Sequence, residues 1–420
     1  MKKIHRAEQC KRNLRVPLFL LPLTAILTLT LHAGSPSSGT AVPEKVRVNI
    51  LSKYRLQQLK ITATQGRCFI GEKSLCLEKA EAEVKSTGSG VSISVKNGPM
   101  LSGKEASFPM QGSWSVTFSR DEGPVTRHYS GGIEIHNSAK GLVITVELPL
   151  EDYVRSVAVA ELGFLLNEDP LVTAAPQWRR ELLAAMEITV RSYVIAQGNR
   201  HHGEKFRFCD LTHCMNFPGL PAGDDPLLRE SLSAGEIMTG ADGHPVNAYF
   251  HSCCGGTLSG PETYWSGHEA QINFRRGPDR LNSGDEFLCG ESPNSAWTSS
   301  ISAAEMDRIL KTAGCVNIET RRLQNRVSSL AFRTTAGGSG LLSVSDFLSR
   351  TGKILGWARL KSNCFTVERK GDIWIFHGRG FGHGVGLCQW GAGKMARLGY
   401  SHRDILSFYF GNPRITGVLK

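Results

Sequence analysis

At Pro149 the hydrophobic period of this chain changes, and that change restricts its fold more than any other feature. From about Val46 to Leu148 apolar and polar residues alternate in short runs, "VRVNIL", "VSISVK", "SWSVTF", "GIEIH" and "LVITVEL", separated by Gly and Asn turns. A period of two broken in this way predicts antiparallel sheet. From Pro149 the stretch "LEDYVRSVAVAEL" repeats at helical spacing instead. Val154, Val157, Ala158, Glu161 and Leu162 share one face, Glu151 and Asp152 suit the first turn, and Gly163 reads as a stop. A second helix is expected over about Trp178 to Gln197, with Leu183, Met186, Val190, Tyr193 and Val194 on its stripe. Beyond it come a Cys/His-rich loop, short strands around "VNAYFHS", a loop-rich insert over about 257–295, a helix near Ala303 to Ala313, and mixed sheet to the end. The expected class is α+β: a β-rich N-terminal region, central helices carrying the cleft, and a C-terminal mixed sheet.

The first 33 residues read as a secretory signal, with a basic start, an apolar run from Val16 to Leu31 and small residues near Ala33; the alternative is an uncleaved N-terminal anchor. A Gly/Ser/Pro-rich linker (34–45) then leads to the β-rich domain (46–148) and the region that carries the motifs (149–420). Either reading of the N-terminus exports the body of the protein to the cell envelope, with membrane attachment only through that segment if it is uncleaved. The formal charge is +11, and the first 33 residues supply part of it through six cations against Glu8. A basic exported protein suits an anionic wall polymer or membrane surface. No Lys/Arg tract is interleaved with aromatics, which argues against nucleic acid as a partner. Of the 11 cysteines, all but Cys10 lie in the exported part, where disulfides form readily. Cys68 and Cys76 could bridge their own loop, and Cys253 or Cys254 could bridge to Cys289.

Several residues carry candidate chemistry. Glu161 sits on the apolar stripe of its helix, where desolvation raises a carboxyl pKa and suits it to general-acid work; a boundary Glu paired with an Arg is the alternative. Glu187 and Arg191, four apart, read as a surface ion pair, although Arg191 could instead hold a substrate oxygen. The loop "HHGEKFRFCDLTHC" offers zinc ligands in Cys209, His213 and Cys214, with His202, His201 or the later His251 as a fourth; a Cys209–Cys214 disulfide competes with that reading. "HGRGFGHGVGLCQWGAGKMA" has five glycines between Gly378 and Gly386 but lacks the ordering of a phosphate loop or dinucleotide fold. It can hold His383, Gln389 and Trp390 at a surface, with Trp390 as a sugar platform, or it is a tight core turn followed by a helix.

Together "LPLEDYVRSVAVAEL", "ELLAAMEITVRSYVIAQ", "FCDLTHC", "AYFHSCCGG" and "GRGFGHGVGLCQWGAGKMARLGYSHRDILSFYF" resemble the stage II sporulation protein D (SpoIID/LytB) family of cell-wall proteins, over about Gly132 to Ile415. The resemblance implies a lytic transglycosylase that cleaves the β-1,4 bond between N-acetylmuramic acid and N-acetylglucosamine in peptidoglycan glycan strands, leaving 1,6-anhydro ends. The family's catalytic Glu falls on Glu161, and one carboxyl suffices for this chemistry. Arg191 and Tyr193 fall in the family's Arg-Thr/Ser-Tyr motif and become candidates for substrate contact or for orienting the acid. The resemblance also implies a structural zinc at Cys209, His213 and Cys214, with His202 as the fourth ligand, that the reaction itself does not require. Met186, Glu187 and Met215 depart from the family's usual residues. A non-catalytic wall-binding protein that enhances a cell-wall amidase is the rival reading, and a zinc amidase a third.

Overall fold

The computed structural model describes residues 42–95, 98, 100–166, 177–198, 200–221, 227, 231–233, 235–268, 271 and 273–417. The N-terminal signal or anchor and most of the linker lie outside the described residues. The α+β class is borne out, with a β-rich N-terminal region followed by helices and by further sheets toward the C-terminus.

The alternating region supplies ten strands of an 11-stranded sheet. Its inward positions, Val46, Val48 and Ile50 on the first strand (Lys45–Ile50) and Ile144, Val146 and Leu148 on the strand Gly141–Pro149, are buried and pair antiparallel, Lys45 opposite Pro149. Lys45–Ile50 also takes up Phe208–Cys209 as a short parallel strand, Asn49 beside Cys209. That pairing ties the Cys/His-rich loop to the sheet. In the ribbon formed by Gln58–Ile70 and Lys73–Thr87, Cys68 pairs with Leu75 and Cys76 with Arg67, so the two cysteines are not cross-strand partners.

Helix α1 (Leu150–Leu166) follows the last of these strands directly, and α2 (Gln177–Gln197) packs against it. Gly163 does not stop α1. Leu165 and Leu166, one turn further on, are buried, and their burial outweighs the cost of ~1 kcal/mol that Gly imposes relative to Ala inside a helix. Helix α3 (Ala303–Leu310) carries a Ser302–Glu305 capping box and ends earlier than expected, because Lys311 adopts a left-handed conformation at φ 57°. Helices α4 (Val344–Leu355) and α6 (His402–Phe410) lie where mixed sheet was expected, while α5 (Gln389–Arg397) follows the glycine-rich turn, as the alternative reading of that stretch had it. The two three-stranded sheets of the C-terminal part are each antiparallel.

Two hydrophobic cores result. The larger unites the N-terminal sheet with α1, α2, α5 and α6. The smaller is built by residues 297–376, with Ile301, Ile309, Leu330, Phe347 and Phe376 at its centre. Among the described residues no helix is long and apolar enough to cross a membrane.

A Cβ added at Gly163 meets nothing within 4 Å. Gly163→Ala is therefore expected to stabilise the protein by about 0.5–1 kcal/mol, read as a shift of the urea midpoint; a destabilised variant would contradict the assignment of Gly163 to the helix interior.

Candidate functional site

Two interhelical ion pairs fix α1 against α2. Glu151 and Arg155 lie four apart on α1; Arg191 and Glu187 lie four apart on α2. Arg191 donates from Nε and Nη2 to the two carboxylate oxygens of Glu151, at 2.8 and 2.5 Å, and Arg155 reaches Glu187 at 3.2 Å. The expected surface pair of Glu187 with Arg191 is thus replaced, because both side chains are buried between elements, at 1% and 0% exposure. The remaining donors of Arg191 go to the Ser233 hydroxyl (3.0 Å) and the Glu236 carbonyl (2.8 Å). With no exposed surface and its donors engaged, Arg191 cannot reach a substrate; it positions α1. Glu187 likewise accepts from the Leu232 and Ser233 backbone N–H groups at 2.9 and 3.1 Å. Met186 and Met215 are buried apolar filling, at 0% and 1% exposure.

Ten residues along α1 from Glu151, the Glu161 carboxylate accepts the backbone N–H of Asn216 at 2.9 Å on one oxygen and the Gln389 amide at 3.4 Å on the other. Among the described residues no Lys or Arg pairs with it. Its residue surface is partly open, yet protein atoms crowd the carboxyl, and this burial pushes its pKa up despite the two donors that pull it down. Phe164, one turn on, lies 5.6 Å from the Trp390 ring, so Gln389 and Trp390 reach the end of α1 together. Tyr153, two turns back, has a buried hydroxyl with no hydrogen-bond partner among the described residues, and Glu161, Cys209 and Cys214 are among its electrostatic neighbours.

Tyr193 is buried, 5.9 Å from Tyr249, with the Arg200 guanidinium 5.9 Å from its ring. Tyr249 continues to Trp265 at 4.7 Å, and His383 lies 4.8 Å from Trp265. The His383 Nδ1 accepts the Val385 N–H at 3.1 Å, and burial holds its pKa well below the usual value, so the ring is neutral. Tyr193 and His383 therefore belong to one aromatic cluster. Trp265 lies in none of the motifs, and Tyr249, inside the stretch "AYFHSCCGG", was not among the candidate site residues.

The Cys/His loop converges on four ligand atoms, of His201, Cys209, His213 and Cys214, all within 4.8 Å of one another. His201 Nε2 is 3.3 Å from the Cys214 sulfur, the two sulfurs are 3.5 Å apart, and His213 Nδ1 is 3.8 and 3.6 Å from them. A disulfide needs about 2.05 Å. Tetrahedral zinc, with bonds of about 2.3 Å to sulfur and 2.05 Å to nitrogen, sets its ligand atoms roughly 3.3–3.8 Å apart. The residues fit a zinc ion, with one correction: the second histidine is His201, not the exposed His202, and His251 is buried elsewhere, its Nδ1 against the Val385 carbonyl. Asp210 anchors the loop, accepting from the Leu51 and Ser52 backbones at 2.7 and 3.2 Å. Two residues past Cys214 comes the Asn216 N–H that holds Glu161.

No protein-family model matches the chain. It is similar to stage II sporulation protein D of Bacillus subtilis, 26% identical over 283 residues that make up 64% of this chain and 75% of that protein. An uncharacterized protein of Brachyspira hyodysenteriae is 23% identical over 65% of this chain and 68% of its own length. The amidase enhancer of B. subtilis matches more locally, 32% identical over 78 residues, 19% of this chain and 11% of that protein. The resemblance read from the motifs is thereby shown: the chain is a homologue of stage II sporulation protein D, with a segment similar to the amidase enhancer.

Glu187→Ala removes the carboxylate from a buried Arg155 and the acceptor from two backbone N–H groups. It is expected to cost about 3–5 kcal/mol in urea denaturation; a loss below about 1 kcal/mol, the range of exposed pairs, would contradict the buried interhelical pairing.

Proposed function

We propose that this protein is an exported lytic transglycosylase of the cell envelope that cleaves the glycan strands of peptidoglycan, with Glu161 as its single general acid and base. The observation that carries the reading is the state of the Glu161 carboxyl. Burial keeps it protonated to higher pH than a free glutamate, while part of the residue stays open to a ligand. Protonated, it gives its proton to the oxygen leaving between the two sugars. As carboxylate, it takes the proton of the muramic C6 hydroxyl, whose oxygen attacks C1. The bond from C1 to the leaving oxygen breaks, the bond from O6 to C1 forms, and no water is consumed.

Hydrolysis through two carboxylates would need a partner at a set separation across the bond. The other acids of α1 are about 15 Å away along the helix and occupied, Glu151 with Arg191 and Asp152 with Ser130. The Phe164–Trp390 pair offers an apolar platform for a sugar ring, and the Gln389 amide offers polar contacts beside the acid. A zinc ion at His201, Cys209, His213 and Cys214 would fix the loop that presents the Asn216 N–H; the chemistry does not pass through it. Export rests on the N-terminal segment. The similarity to a protein named amidase enhancer makes a cell-wall amidase the proposed partner on the same polymer.

The test is mass spectrometry of peptide-free glycan strands after incubation with the wild type and with Glu161→Gln, both checked for folding. Anhydro ends from the wild type, reduced by about 10²–10⁴-fold in the variant, are expected. No anhydro ends from folded wild type supplied with zinc would sink the reading in favour of a non-catalytic amidase enhancer.

Stability carries the same signature. The Glu161 pKa is raised in the folded state, so ionising it opposes folding. Below the pKa of an unfolded glutamate that cost is absent; it appears as pH rises through that value and is complete above the raised folded one. The melting temperature of Glu161→Gln relative to wild type should therefore be higher at about pH 8 than at about pH 4. A difference independent of pH would mean the carboxyl is not desolvated.

A further inference from the structure

A second cluster of ligand-type side chains lies outside the site described above. Cys254, Asp279, Cys289 and Cys388 are all buried, and one ligand atom from each lies within 4.8 Å of the others. The Cys254 sulfur is 3.4 Å from that of Cys289 and 3.0 Å from Asp279 Oδ2. The sulfur–sulfur separation is too long for a disulfide, at about 2.05 Å, and lies within the roughly 3.3–3.8 Å between ligand atoms of a tetrahedral zinc site, while the sulfur–oxygen separation is shorter than that.

Two further observations point to a cation. Asp279 has no exposed surface, and among the described residues no Lys or Arg pairs with it; its neighbours are the Tyr409 hydroxyl, donating at 3.0 Å, and the thiols. A carboxylate buried among sulfurs is costly unless a positive charge joins it. Arg326 is the mirror image. It is fully buried and donates to the Asn363 side chain and to the carbonyls of Cys254 and Thr257, all neutral acceptors, while its Nε has no partner among the described residues. Three thiolates and a carboxylate around a divalent ion leave a net negative site beside that guanidinium, so each buried charge would find its complement. The surroundings are shaped to match. The Cys254 backbone N–H donates to the Cys388 sulfur at 3.3 Å, and a Cβ on Gly391 would lie 2.1 Å from the Tyr409 hydroxyl and 3.1 Å from Asp279.

We propose that Cys254, Asp279, Cys289 and Cys388 form a second, buried zinc site, independent of the one at His201, Cys209, His213 and Cys214. Thiolate-rich tetrahedral sites select zinc among the common divalent ions. The ion joins three stretches that are distant in sequence: the segment after the strand Phe250–His251, the loop from Asp279 to Cys289, and Cys388 at the N-cap of α5. Cys388 precedes Gln389, the amide donor to Glu161, so the site holds that donor in register.

Metal analysis and thiol mapping of the purified full chain test this. The wild type is expected to carry two zinc ions per chain, the Cys209→Ser/Cys214→Ser double variant one, and Cys388→Ser one. In the wild type itself, which needs no folded variant, Cys254, Cys289 and Cys388 should resist alkylation until zinc is chelated, and then react without any reductant. Cobalt(II) in the double variant should give the intense sulfur-to-cobalt absorption of a thiolate-rich site. A disulfide from Cys253 or Cys254 to Cys289 or Cys388 in an unreduced peptide map would overturn the proposal. So would zinc that disappears entirely with Cys209 and Cys214.

Discussion

The crossed pairing of Glu151 with Arg191 and of Arg155 with Glu187 is the constraint on which the rest of this structure depends. Each helix contributes one acid and one base, and the pairs close only in one register of α1 against α2. Burying such charges is not a source of net stability by itself, since desolvation consumes much of the Coulombic gain. What it imposes is geometry, because any slip between the helices leaves a charged group desolvated and alone. Ser233 links the two pairs, donating to Glu187 and accepting from Arg191, and so joins the same lock.

With α1 fixed, its C-terminal half carries Glu161 to a point reached by two other parts of the chain. The Cys/His loop brings the Asn216 N–H, held by strand pairing at Asn49 and by Asp210; α5 brings Gln389 and Trp390. The resulting site is one carboxyl, raised in pKa by burial, with a defined donor on each oxygen. Neither donor is charged, so neither offsets the burial that holds the proton to higher pH than on a free glutamate.

Much of this was legible in the sequence, and what was not has identifiable causes. Period two before Pro149 and period 3.6 after it gave the sheet, α1 and α2, and the apolar setting of Glu161 marked it as a candidate. Tertiary pairing was invisible: Glu187 and Arg191 sit at ideal intrahelical spacing, and only burial redirects each to the facing helix. Spacing could not choose between the neighbours His201 and His202, a choice made by the turn in which Glu204 N–H bonds the His201 carbonyl. The Asn216 donor is a backbone group and leaves no residue-type signal. Gly163 looked like a stop because its local cost was visible and the burial of Leu165 and Leu166 beyond it was not. In α6 the Ser401–Asp404 capping box and the stripe Ile405, Leu406, Tyr409 and Phe410 were readable signals that went unused.

The central claim is that Glu161, with Gln389 and the Phe164–Trp390 pair beside it, faces the scissile bond of a glycan strand. A crystal structure of Glu161→Gln with a peptide-free glycan tetrasaccharide tests it most directly. A glycosidic oxygen is expected within hydrogen-bond reach of the residue 161 side chain, with a sugar ring stacked on Trp390. A strand bound elsewhere on the protein, with residue 161 touching no sugar, would contradict it.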